Sequence, residues 1–118
     1  MRHLLPVLVL AALALASAAS SSAATPKLTG VVGPGFSITL KSGAKAVKAL
    51  KAGTYTIVVS DKSTIHNFHL FGPGVNKSTT VPFTGTQTWA VKLKAGKYTY
   101  QCDPHASAGM KGAFIVTG

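Results

Sequence analysis

The sequence predicts an all-β protein, a Greek-key β-sandwich or barrel of about seven to eight strands. Three observations predict this fold class. Glycine and proline recur as turn signals, the short runs between them alternate apolar and polar residues, and these runs recur about every 10–16 residues. We expect residues 25–118 to form a single domain, because about 94 residues suffice for one compact core.

The N-terminal segment, residues 1–24, has the layout of a secretory signal peptide. A cationic start at Arg2 precedes an uncharged apolar run over residues 4–16, and small residues follow. A run of about 13 apolar residues is too short to span a bilayer comfortably, although an uncleaved anchor is the alternative. Cleavage fits after Ala18 or Ala24, of which Ala24 is favoured. We therefore expect an exported protein, either periplasmic or extracellular.

The strands follow from local patterns along the chain. Phe36, Ile38 and Leu40 alternate with polar residues and predict the first strand. Further strands are expected over residues 55–59, 65–71, 88–94, 98–102 and 113–117. Within the fifth of these six runs, Tyr98, Tyr100 and Cys102 share one face, because the side-chain period of a strand is two.

Two other segments need interpretation. Lysines spaced four, three and three residues apart between positions 41 and 51 fit a short amphipathic helix. Because Gly43 and Gly53 bracket that segment tightly, we predict extended chain with irregular ends instead. The sequence Lys-Ala-Gly-x-Tyr-Thr occurs at both 51–56 and 94–99, and predicts two tight turns that each lead into a strand with an inward tyrosine.

The domain is strongly basic. It contains 11 lysines, no arginine and two acidic residues, Asp61 and Asp103, so its net charge is +9. Such a charge attracts an acidic protein partner or anionic envelope surfaces, although the lysines could also simply solvate the turns. Nucleic acid is not expected as a partner, because arginine and an aromatic-rich basic patch are absent and export removes the target.

Chemistry is concentrated between residues 102 and 110. The single cysteine of the chain, Cys102, precedes His105 by three residues and Met110 by eight. An unpaired cysteine in an exported protein implies an intermolecular disulfide, a reactive thiol or a ligated thiolate. Thiolate, imidazole and thioether together suit copper, whereas zinc seldom uses methionine. A further ligand would have to be His66 or His69.

The pattern Cys-x2-His-x4-Met after a Tyr-x-Tyr-x-Cys strand, with an upstream His-Asn, resembles the small blue copper proteins. These are the cupredoxins of the plastocyanin, pseudoazurin and amicyanin type. The resemblance implies one type 1 copper per chain, bound by Cys102 as thiolate, His105 as the imidazole nearest the surface, Met110 as a long axial ligand and His66 as a buried imidazole. It also implies that His69 is not a ligand.

The resemblance further implies supporting residues around the ligands. Asn67 resembles the family residue that bonds to the cysteine sulfur and pins the ligand loop. Asp103 and Pro104 follow the cysteine directly, and Pro104 should stiffen the loop. Two departures from plastocyanin are evident: Ile65 replaces the proline before the upstream histidine, and Gln101 replaces the aromatic residue before the ligand cysteine.

The resemblance implies a function as a one-electron carrier between redox partners, not an enzyme. We expect a monomer whose acidic partner docks near His105. The alternative is a protein for copper storage, delivery or resistance without redox work. A multicopper enzyme is disfavoured, because the mature chain has only three histidines and lacks the further ones that a second copper centre needs.

Overall fold

A computed structural model describes residues 24–118, which fold into ten strands and one 3-10 helix. The strands are β1 (Lys27–Val32), β2 (Ile38–Ser42), β3 (Lys45–Ala46), β4 (Ala49–Lys51), β5 (Gly53–Asp61), β6 (His69–Gly72), β7 (Val75–Ser78), β8 (Gly85–Leu93), β9 (Gly96–Gln101) and β10 (Lys111–Thr117). The 3-10 helix, Asp103–Ala108, lies between β9 and β10. The signal peptide predicted for residues 1–24 lies outside the described residues, apart from Ala24.

The strands form two five-stranded sheets. One has the order β3-β2-β1-β5-β8 and the other β4-β10-β9-β6-β7. The pairs β1–β5 and β4–β10 are parallel, and the remaining pairs are antiparallel. This arrangement confirms the predicted all-β sandwich. Among the described residues, no helix is long and apolar enough to cross a bilayer.

The strand count exceeds the predicted seven to eight because several pieces are very short. Segment 41–53 is extended as predicted: Gly43, at φ +60°, turns β2 back into the two-residue β3. The six-residue β1 was missed, since Gly30 interrupts its apolar alternation. A Cβ on Gly30 would lie 2.8 Å from the ring of Phe68, so glycine is required there by close packing.

Inward-facing residues of both sheets form one hydrophobic core. Its largest fully buried apolar side chains are Tyr98, Phe68, Phe114, Leu28, Leu40, Ile57, Leu70 and Leu93. The two predicted inward tyrosines are confirmed. The hydroxyl of Tyr55 donates to the carbonyl of Lys51 at 2.7 Å, and the hydroxyl of Tyr98 accepts the N–H of Lys94 at 2.9 Å. Each tyrosine thus closes the turn four residues before it.

Two predicted strand segments were wrong, and both lie at the end of the sandwich where the candidate site forms. The strand expected over residues 65–71 begins only at His69, because the N–H of Phe68 donates to the side chain of Thr79 instead of to a neighbouring strand. Phe36, expected in the first strand, lies before β2 in a loop and is 69% exposed.

Candidate metal centre

The loop after β9 brings the predicted ligands together. Cys102 directly follows β9, and its N–H donates to the carbonyl of Met110 at 3.0 Å, so the loop closes on itself. The N–H of His105 donates to the Cys102 carbonyl at 3.1 Å, and the N–H of Met110 donates to the His105 carbonyl at 3.2 Å. Gly109 ends the 3-10 helix at φ +96°, a conformation that favours glycine. The loop is therefore a compact turn that holds three potential ligands.

The upstream histidine reaches the same point from the loop between β5 and β6. The Sγ atom of Cys102 lies 3.6 Å from Nδ1 of His66 and 3.4 Å from Nδ1 of His105. The two Nδ1 atoms are 3.0 Å apart. Cys102 and His66 are fully buried, whereas His105 is partly exposed. Among the described residues, these three form the one group of at least three His, Cys, Asp or Glu side chains placed to hold a metal ion.

These distances fit a single bound ion. Metal–imidazole and metal–thiolate bonds are about 2.0–2.3 Å long, so donor atoms 3.0–3.6 Å apart can share one ion. Nδ1 is the nitrogen of His66 placed to bind the ion, because it lies near the other two donor atoms, whereas Nε2 is buried without a hydrogen-bond partner among the described residues. Met110 is buried and joined to Cys102 through its backbone. Two imidazoles and a thiolate, together with the thioether of Met110 on the same loop, are the donor types of a blue copper site.

Comparison with known families agrees with this donor set. Residues 35–117 match the sequence model of the family described as copper binding proteins, plastocyanin/azurin family. The chain belongs to this family, the cupredoxins. Together with the convergence of His66, Cys102 and His105 and the burial of Met110, the match makes this a type 1 copper protein with a single copper site.

Solved structures show the same fold. A reduced rusticyanin matches with a TM-score of 0.61 and 22% identity, covering 81% of this cupredoxin and 81% of that chain. Rusticyanin from Thiobacillus ferrooxidans matches with a TM-score of 0.56 and 23% identity, covering 81% and 79%. Reduced auracyanin from the photosynthetic bacterium Roseiflexus castenholzii matches with a TM-score of 0.57 and 19% identity, covering 81% and 100%. Because these structures are only 19–23% identical to this cupredoxin, they show its fold, and the site is assigned from its own residues.

Asn67 joins the two loops that carry the ligands of this cupredoxin. Its Oδ1 accepts the backbone N–H of Asp103 at 2.7 Å, and its Nδ2 donates to Asp103 Oδ2 at 2.9 Å. The Nδ2 also lies 3.4 Å from the carbonyl of Thr79. The side-chain amide of Asn67 is thus used by Asp103 and Thr79, and the bond from Asn67 to the sulfur of Cys102 that the resemblance implied stays a prediction. Pro104 occupies the first turn of the 3-10 helix, where its restricted φ is compatible with the loop.

His69 lies away from the converging ligand atoms, on the outer side of the sheet. Its Nδ1 lies 2.8 and 3.1 Å from the two carboxylate oxygens of Asp103, and its Nε2 lies 2.6 Å from Oδ1 of Asn76. Burial lowers the pKa of His69, but hydrogen bonds with Asp103 and Asn76 outweigh it and the pKa is raised overall. For Asp103 the two effects have the opposite signs. Burial raises the pKa of its carboxyl group, but hydrogen bonds from Gln101, Asn67 and His69 lower the pKa below its ordinary value.

A buried pair of polar residues, missed by sequence reasoning, supports the loop that carries His66. The hydroxyl of Thr79 donates to Asp61 Oδ2 at 2.8 Å and accepts the N–H of Phe68 at 2.9 Å. Asp61 Oδ1 also accepts the N–H of Ser63 at 3.2 Å. Asp61 and Thr79 are 2% and 1% exposed. In the sequence, the feature that could have indicated this pair was Asp61 itself, an acidic residue just after a predicted strand in a chain with one other acidic residue.

Phe36 is a further residue of the site whose role sequence reasoning missed. Its ring contacts the imidazoles of both His66 and His105, edge to face, with centroids 5.1 and 4.8 Å apart. The preceding Gly33 has φ +72°, and a Cβ there would lie 3.3 Å from Cδ2 of His66. The loop between β1 and β2 therefore covers the imidazole edges. The apolar alternation around Phe36 had hidden this role by suggesting a strand.

Proposed function

We propose that this cupredoxin is an exported one-electron carrier that cycles a single copper between Cu(II) and Cu(I) and catalyses no reaction of its own. The main support is the arrangement of three donor atoms, one each from His66, Cys102 and His105, within 4.8 Å of one another. Two of these side chains are fully buried, and His105 alone is partly exposed.

Restricted motion of the ligands favours electron transfer. Bound copper supplies a one-electron redox couple that its ligands and their surroundings tune. The backbone bonds within residues 102–110 and the pairing of Asn67 with Asp103 hold both ligand loops in place. Because these loops are held by many bonds, little rearrangement accompanies the gain or loss of an electron.

The surface around His105 suits brief contact with a partner. Phe36 and Ile65 are 69% and 52% exposed, and Ala108 of the ligand loop is also exposed. Exposed apolar residues next to a partly exposed ligand form a docking face on which electrons can enter and leave through His105. Such a small face favours a weak and quickly reversible complex.

We propose an acidic redox protein as the partner. Exposed Lys62 lies in the loop that leads to His66, and exposed Lys111 directly follows Met110, so positive charge borders the docking face. The same charge would draw the protein weakly to anionic envelope surfaces. We propose that the protein acts as a monomer and binds no nucleic acid.

The docking proposal is tested by the rate of electron exchange with a small acidic redox protein. Lys62→Glu and Lys111→Glu should each slow association, and the wild-type rate should fall steeply with ionic strength. Lys94→Glu is the matched control, because Lys94 lies in the β8–β9 turn at the other end of the sandwich. A rate that is insensitive to salt, or equally sensitive to all three substitutions, would contradict docking at the copper end.

The alternative of copper storage or delivery is tested by how the protein binds copper and whether the bound copper is reduced reversibly. We expect the purified protein to bind one copper per chain, to give an intense visible charge-transfer band and to be reduced reversibly. Cys102→Ser and His66→Asn should abolish the band, whereas His69→Asn is the control substitution and should preserve it. Weakly bound, colourless copper would favour delivery, and turnover of a substrate would contradict the carrier.

Export is tested separately from copper binding. We expect the cell-envelope or medium fraction to contain the protein with Thr25 as its first residue, after cleavage behind Ala24. N-terminal sequencing distinguishes this from cleavage behind Ala18. Detection of the full-length chain in the cytoplasm alone would contradict the proposed location.

A further inference from the structure

The side chain of His69 occupies a specific place beside the copper site without belonging to the ligand set. It is the first residue of β6 and lies opposite Gln101, the last residue of β9, in the antiparallel pairing of these strands. Cys102 follows Gln101 directly. The register therefore places His69 beside the point where the chain leaves the sheet to form the ligand loop.

The Nδ1 atom of His69 contacts both carboxylate oxygens of Asp103, Oδ1 at 2.8 Å and Oδ2 at 3.1 Å. The other nitrogen of the His69 ring lies 2.6 Å from Oδ1 of Asn76, which orients the ring. Gln101 Nε2 donates to Asp103 Oδ1 at 2.9 Å, and Asn67 Nδ2 donates to Oδ2 at 2.9 Å. The carboxylate of Asp103 thus contacts three hydrogen-bonding side chains, although the Asp103 side chain is 44% exposed.

Asp103 is the residue through which this network reaches the ligands. Its backbone N–H, which belongs to the peptide directly after Cys102, donates to Asn67 Oδ1 at 2.7 Å. Asn67 in turn directly follows His66. A carboxylate held at both oxygens cannot rotate freely into water, so the bond between the Asp103 N–H and Asn67 stays aligned.

From these contacts, we infer that His69 is a positioning residue for the copper site, acting through Asp103 to fix the peptide after Cys102 against Asn67. The effect passes through hydrogen bonds and needs no contact between His69 and the metal. It concerns the geometry of the copper site and holds whether or not the protein carries electrons.

The competing explanation is an ordinary surface ion pair between His69 and Asp103. Exposed pairs of this kind contribute little to stability, and this explanation predicts no effect on the copper site. Positioning predicts more: loss of the His69 contact should loosen the Asp103 peptide in the copper-free protein and should alter the sulfur-to-copper band in the loaded protein.

Two substitutions of His69 separate the contacts of its ring. His69→Asn retains a donor near the place of Nδ1 and so keeps the contact with Asp103. His69→Gln places its amide near the position of Nε2, so it keeps the contact with Asn76 and loses the one with Asp103. Both substitutions remove the titratable ring, so that a difference between them reports the lost contact and not the lost charge.

The first measurement is amide hydrogen exchange of Asp103 in the copper-free protein. We expect His69→Gln to speed the exchange by roughly three- to tenfold, as for the weakening of one hydrogen bond, and His69→Asn to leave it near the wild-type rate. Unchanged exchange in His69→Gln, or equal acceleration in both variants, would overturn the inference. Neither result depends on copper binding or on electron transfer.

The second measurement is the visible spectrum and reduction potential of the copper-loaded variants. We expect His69→Gln and Asp103→Asn each to shift both quantities, and the double variant to shift them no further than the larger single effect. Additive shifts would show that the two residues act separately, and unchanged spectrum and potential in His69→Gln would show that His69 does not position the site. Either outcome refutes the inference even if the protein proves to be an electron carrier.

Discussion

The ring of Phe36 stands edge-on to the imidazole of His105, with centroids 4.8 Å apart and planes at 77°. The same ring lies 5.1 Å from the imidazole of His66. A phenyl group that remains 69% exposed while it contacts both imidazoles shields them from water on one side. Phe36 therefore belongs to both the copper site and the surface that a partner would meet.

Replacement of Phe36 by alanine should leave the colour but weaken the site. Loss of two aromatic contacts amounts to about 1 kcal/mol, which corresponds to roughly fivefold faster release of copper to a chelator. Water that reaches the imidazoles should also lower the reduction potential. Chelator competition and voltammetry measure these effects. Ile65→Ala is the control for loss of exposed apolar surface without ring contact, and equal effects of both substitutions would contradict the shielding role.

Met110→Gln tests the axial assignment. The thiolate and both imidazoles remain, so we expect the charge-transfer band to persist, while the harder amide oxygen favours Cu(II) and lowers the potential. Voltammetry of the copper-loaded variant measures the change. A potential equal to that of the wild type would mean that the Met110 thioether is not an axial ligand.

Thr79→Val should destabilise the protein by about 1–3 kcal/mol, because it leaves the carboxylate of Asp61 and the N–H of Phe68 buried without this partner. Urea unfolding of the copper-free protein measures the loss. The neighbouring Thr80 is exposed, so Thr80→Val is the matched control and should be nearly neutral. Equal stability of the two variants would show that the buried hydroxyl does not support the loop.

Gly30→Ala should destabilise the protein by about 1–3 kcal/mol through overpacking. The new methyl group would lie 2.8 Å from the ring of Phe68, which must shift inside the core. A Cβ on Gly35 meets nothing within 4 Å, so Gly35→Ala serves as the control. Thermal unfolding of both variants provides the comparison, and an unaffected Gly30→Ala would mean that the ring of Phe68 moves without cost.

His69 predicts a pH dependence of stability. Because its pKa is raised on folding, the stabilisation is complete below the ordinary value of 6.5 and is lost as the pH rises through the folded pKa. The pKa of Asp103 is lowered on folding, so the stabilisation that Asp103 contributes is present above pH 3.8 and is lost as the pH falls through the folded pKa. The stability gap between wild type and His69→Gln should therefore be widest between about pH 4 and 6.5. Urea unfolding of the copper-free proteins across pH measures it, and a gap that widens above pH 8 would contradict the assignment.

The sequence by itself determined the fold class, and through the family resemblance it predicted the donor set. Alternation with period two and regular turn signals depend on neighbours in the chain, so the sandwich could be inferred without coordinates. The ligand residues Cys102, His105 and Met110 lie close together in sequence on one loop, and His66 is marked by its neighbour Asn67. The structure brings His66 and His105 to the sulfur of Cys102 as that prediction requires.

Tertiary structure alone decided what surrounds the copper site. Phe36 reaches His105, Thr79 reaches Asp61, and His69 reaches Asp103 across 69, 18 and 34 residues of sequence. Such contacts arise where loops from different strands meet at one end of the sandwich, and no local periodicity encodes them. In the same loops, the strand predicted over residues 65–71 begins only at His69, because a hydrogen bond to the side chain of Thr79 replaces strand pairing at Phe68.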